Sequence, residues 1–77
     1  MSTNPDRIVN VISTWLGGRL KDEQLQQEID EIGTDGLAPG QAEALAELRL
    51  ELERATPDQR GHLEMVARET LEAVALG

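Results

Sequence analysis

A chain of 77 residues with no cysteine, one histidine and a formal net charge of −8 is long enough for one domain with one modest core. The missing thiols exclude disulfide and thiolate chemistry and fit a reducing, cytoplasmic setting. No apolar stretch is long enough for a membrane span or a signal peptide, because Asn10, Ser13 and Thr14 interrupt the run from Ile8 to Leu16.

Three prolines, Pro5, Pro39 and Pro57, read as helix starts. Proline suits the first helical turn, where its missing N–H is not needed, and it pushes the preceding residue out of the helical region. The first helix is expected from about Pro5 to Leu16. Ile8, Val11, Ile12, Trp15 and Leu16 fall on one face at 3.6-residue spacing, and Gly17-Gly18 stops it. The second runs from about Asp22, its expected cap, to Ile32, with a narrow stripe of Leu25, Ile29 and Ile32. Gly33 ends it, and Thr34-Asp35-Gly36 reads as a turn.

The third helix is expected from about Pro39 to Arg54, with Leu45, Leu48, Leu52 and Ala55 inward. Glu43, Glu47 and Glu51 form a ridge at four-residue steps on the other side, and Leu50 falls on that polar side too. The fourth runs from about Pro57 to Leu76, opened by a capping box of Thr56 with Gln59. Leu63, Val66, Ala67, Leu71 and Val74 face inward; Met65 and Leu76 point away. Four amphipathic helices with one apolar stripe each must bury those stripes on one another. The fold is therefore all-α, a small four-helix bundle in a single domain over residues 1–77.

The charge is uneven. Residues 1–21 carry +2, residues 22–53 carry ten acids against Arg49 for −9, and residues 54–77 carry −1. A surface of that sign repels phosphate backbones and anionic lipid and steers toward a basic protein surface. Nucleic-acid binding is not expected, since seven basic residues are scattered and Trp15, the one aromatic residue, belongs to a core stripe.

Nothing in the chain reads as catalytic apparatus. His62 has no serine or cysteine beside it, and the serines are Ser2 and Ser13. The many carboxylates fall on polar helix faces rather than in a pocket that would tune one of them. The stretch Asp30–Gln41 fails as a calcium loop. With Gly36 as the loop glycine, the third and twelfth ligand positions are Gly33 and Ala42. No cofactor or metal is expected. The partner-binding residues are taken to be Glu43, Glu47, Leu50 and Glu51, docking on a protein with a basic surface. Leu50, Met65 and Leu76 together offer an alternative, a seam for self-association.

Three stretches resemble the acyl carrier proteins. Asp6-Arg7-Ile8-Val9 through Ile12 to Leu16-Gly17 is similar to that family's first helix and glycine stop. Asp30-Glu31-Ile32-Gly33-Thr34-Asp35-Gly36-Leu37 is similar to the segment ending in Asp-Ser-Leu, whose serine carries a phosphopantetheine arm. Pro57-Asp58 followed by Leu63 and Val66 is similar to the approach to the last helix. The resemblance implies a small acidic helical fold that docks on biosynthetic enzymes. Gly36 occupies the serine position and offers no hydroxyl, so the chain would dock without an acyl load. Ala38-Pro39-Gly40 and the helical pattern of Asp22–Ile32 also depart from the family.

Overall fold

The computed structural model describes residues 3–76 and shows four α-helices and no strand among them. They are α1 (Asn4–Leu16), α2 (Asp22–Ile32), α3 (Pro39–Arg54) and α4 (Arg60–Leu76), with a single 3-10 turn over Pro57–Gln59 ahead of α4. Ser2 lies outside the described residues.

The helix ends follow from local chemistry. Thr3 caps α1, its hydroxyl accepting the N–H of Asp6 at 3.4 Å, so that Pro5 sits inside the first turn. The α1 exit is a Schellman closure. The Arg19 N–H reaches the Thr14 carbonyl at 3.1 Å and the Gly18 N–H reaches that of Trp15 at 3.0 Å, with Gly18 at φ 80. At the starts of α2 and α3 the same device recurs. A glutamine three residues in accepts the backbone N–H of the capping residue: Gln24 from Lys21 at 3.0 Å, and Gln41 from Ala38 at 2.8 Å.

Two expected caps are different in the structure. Asp22 is the first residue of α2 rather than its cap, and its carboxylate is turned back to Trp15. The Thr56–Gln59 box does not form. The Thr56 hydroxyl donates to Asp58 instead, and the Gln59 N–H bonds the Thr56 carbonyl at 2.9 Å, which tightens the turn into a 3-10 geometry and delays α4 to Arg60.

α1 and α2 run antiparallel, as do α3 and α4. Asn4 bonds the Asp35 carbonyl at one end of the α1–α2 pair and Trp15 meets Asp22 at the other. Across α3 and α4, Gln41 reaches Val74 and Glu51 reaches His62. Contacts join α1 to α2, α2 to α3, α3 to α4 and α4 back to α1, which places α1 opposite α3 and α2 opposite α4. The core is one cluster: Ile8, Ile12 and Trp15; Leu25, Ile29 and Ile32; Leu45, Leu48 and Leu52; Leu63, Ala67 and Val74. Val11, Leu16, Ala55, Val66 and Leu71, expected inward, are half-buried at its margin.

Two polar side chains are buried with it. Thr70 is 2% exposed, and its hydroxyl lies 2.9 Å from the Val66 carbonyl and 3.2 Å from that of Ala44. Gln41 is 8% exposed and bonds both helices of the α3–α4 pair.

Candidate protein-docking surface

The outer side of α3 is built by the 3.6-residue period. With Gln41, Leu45, Leu48 and Leu52 turned into the bundle, Glu43, Glu47 and Leu50 must lie on the side facing solvent. Leu50 is 42% exposed among these acids. Glu51 falls on the flank that turns toward α4, where its Oε2 lies 3.1 Å from His62 Nε2.

That flank opens into a groove of 230 Å³ between α3 and α4, lined by Glu47, Glu51, His62, Met65, Val66 and Glu69. The structure thus brings Glu47 and Glu51 together with four residues of α4 outside the expected partner-binding set: His62, Met65, Val66 and Glu69. Met65, 50% exposed, gives the groove an apolar lining beneath three carboxylates. Glu43 and Leu50 extend the acidic surface along α3 but do not line the groove. The signal for the α4 contribution is the return of His62, Met65 and Glu69 to one face of α4. Only the pairing of α3 with α4 shows which residues that face meets.

Leu50, Met65 and Leu76 are spread over two helices. Leu76, 86% exposed, stands about three turns beyond Met65 near the end of α4.

A larger cleft of 490 Å³ lies at the other side of α3, between its C-terminal half and the start of α2. Leu52, Ala55 and Leu63 line it, with Asp22, Glu23 and Arg60 at its edge. Asp22 and Arg60 are already engaged with one another. Asp22 Oδ1 accepts the Trp15 indole N–H at 2.8 Å and the Arg60 guanidinium at 3.2 Å. Arg60 stacks over the Trp15 ring at 4.0 Å from its centre and also approaches the Trp15 carbonyl at 3.4 Å. This cluster joins the end of α1 to the starts of α2 and α4.

Asp58, in the 3-10 turn, has its carboxyl held below the ordinary aspartate value, chiefly by the Thr56 hydroxyl and then by a backbone N–H. Among the described residues no group of three or more His, Asp or Glu side chains is arranged to hold a metal ion, and no helix is long and apolar enough to cross a membrane.

Gly36 lies in the exposed loop between α2 and α3 with φ 81, and a side chain there would meet nothing within 4 Å. Compared with protein-family models, with curated proteins and with solved structures, the chain finds no match.

Proposed function

We propose that this chain is a non-catalytic interaction module that docks through α3 and the α3–α4 groove onto a basic protein surface. The observation that supports this reading best is the groove itself: Glu47, Glu51 and Glu69 stand around the apolar Met65 and Val66. A lysine or arginine side chain has the matching chemistry, an aliphatic stem with a cationic head. Its stem would lie on Met65 and Val66, and its head would sit among the carboxylates. Leu50, exposed one turn beyond Glu47, would add apolar contact beside the charged one. The −8 net charge would speed encounter with such a partner.

The test is capture of binding proteins by the immobilised chain, compared with the Glu43→Lys/Glu47→Lys/Glu51→Lys variant at equal helicity. The reading expects basic proteins to be retained by the parent chain, released as salt rises, and lost by the variant. Because Glu51 also contacts His62, the Glu43→Lys/Glu47→Lys double variant separates docking from the α3–α4 contact. Retention of the same proteins by both variants at low salt would reduce the ridge to a solvated face.

A second reading keeps the acyl carrier resemblance: a carrier-like domain that docks on biosynthetic enzymes without an arm. Its support is that the exposed Asp35-Gly36 turn leads through the half-buried Leu37 into the acidic α3. Exposure to a phosphopantetheinyl transferase and coenzyme A should leave the parent mass unchanged and add one arm to Gly36→Ser. The open space around Gly36 accepts a serine side chain, although φ 81 opposes it. A third reading, self-association through Leu50, Met65 and Leu76, has less support because these residues are dispersed. A mass by light scattering that rises with concentration would favour it.

A further inference from the structure

We infer that α2 is a latch that opens as a unit while α1, α3 and α4 stay packed. The inference is independent of the docking reading. It starts from the arrangement of the helices. α4 packs against both α1 and α3, whereas α2 sits diagonally across the bundle from α4, rests mainly on α1 and touches α3 sparingly. Removing α2 leaves a connected three-helix unit. Removing α4 would leave α3 joined to the rest only through its sparse contact with α2.

The hold of α2 on that unit is narrow. Like each of the other helices, α2 sends three apolar side chains into the core, Leu25, Ile29 and Ile32. Its other eight residues, however, are polar or charged and add no half-buried apolar side chain at the margin, as Val9, Val11 and Leu16 do for α1 and Val66 and Leu71 for α4. Two polar clasps flank the three core side chains of α2. At the start of α2, Asp22 takes the Trp15 indole N–H and Arg60. Toward its end, Asp30 pairs with Arg49 Nη2 at 2.6 Å, a single-point contact that leaves the buried Arg49 Nε without a partner among the described residues. Both ion pairs are about half exposed, so water screens them.

The flanking segments allow such a swing. Residues 17–21 and 33–38 contain no α-helix, and each holds a glycine at positive φ, Gly18 and Gly33, where rotation meets no side chain. The cleft of 490 Å³ already separates the start of α2 from the end of α3. When α2 leaves, Arg60 remains stacked on Trp15, so the end of α1 keeps its tie to α4. Opening uncovers the core side chains against which Leu25, Ile29 and Ile32 pack. Units of this kind, with few buried apolar contacts and exposed connections, open below the global unfolding free energy.

Native-state hydrogen exchange on the intact chain, read by NMR across a series of low urea concentrations, tests this. The hydrogen-bonded amides of α2 should exchange at least tenfold faster than those of α1, α3 and α4, with a shallower urea dependence. Gln41→Ala weakens a contact between α3 and α4 that stays made in the open form, so it should raise the α3 and α4 rates several-fold and leave the α2 rates within twofold. A common rate and a common urea dependence across all four helices would overturn the latch. So would α1 exchanging in step with α2, which would make the moving unit a hairpin.

Discussion

The indole N–H of the fully buried Trp15 ends on the carboxylate of Asp22, 2.8 Å away on the next helix. The residue expected to cap α2 is thereby the acceptor that allows the largest side chain of α1 to be buried, because an indole N–H without a partner in a core carries a desolvation penalty.

Asp22→Ala leaves that N–H unpaired and removes one of the contacts of Arg60, which keeps its stacking on Trp15. Half of the Asp22 side chain is exposed, so water partly replaces it. The expected loss is about 1–2 kcal/mol, read as a fall in thermal midpoint of ~4–8 °C per kcal/mol for a domain of this size. Asp22→Asn retains an acceptor oxygen and should lose less than half as much. Equal losses in the two variants would mean that charge, rather than the hydrogen bond, holds the junction.

Gln41 satisfies two helix ends at once. Its Oε1 accepts the Ala38 N–H at the start of α3, and its Nε2 donates to the Val74 carbonyl, one of the last carbonyls of α4 that have no partner within their own helix. Gln41→Ala should cost about 1–3 kcal/mol and loosen the end of α4, seen as faster amide exchange over the last turn. Gln41→Glu keeps the first bond but sets a carboxylate against the Val74 carbonyl. It should therefore be destabilising at neutral pH and recover part of the loss in acid, where a protonated carboxyl again donates.

The four helices were legible because each stripe repeats at the helical period and each junction carries glycine or proline. The same reading placed Leu50, Met65 and Leu76 outside, where they are. What escaped it depends on distance in sequence. Gln41 and Thr70 enter no apolar stripe in the sequence, and their partners, Val74 and Ala44, lie 33 and 26 residues away. Thr56 and Gln59 have the spacing of a capping box, yet Asp58 competes for the hydroxyl at shorter range. For the docking surface, Glu43, Glu47, Leu50 and Glu51 could be placed on α3 from periodicity. The α4 wall of His62, Met65 and Glu69 depends on which face of α4 meets α3.

Asp58 gives the chain an acid-sensitive turn. Its carboxyl is held below the ordinary aspartate value by the Thr56 hydroxyl first and a backbone N–H second, so the folded chain favours the ionised form. That contribution is present above the ordinary aspartate pKa and is lost as pH falls through the lowered one. Carboxyl carbon shifts in an NMR titration should show Asp58 titrating below the ordinary aspartate value. Thr56→Val should return it toward that value.

Leu48 and Leu50 are near neighbours in sequence and face opposite environments: Leu48 is fully buried, and Leu50 is 42% exposed on the acidic side of α3. Leu48→Ala removes packed methyl groups from the point where α3 meets the rest of the core and should cost about 2–5 kcal/mol. Leu50→Ala touches no core contact and replaces leucine with a better helix former, so stability should stay within about 0.5 kcal/mol of the parent. Urea unfolding of both variants checks the pair. Unchanged stability then makes Leu50→Ala a clean probe of the proposed docking surface. If the apolar side chain lengthens the lifetime of the complex, captured basic proteins should dissociate faster from Leu50→Ala at unchanged salt sensitivity, because the charges that govern encounter are untouched. Dissociation at the parental rate would confine docking to the carboxylates of the groove.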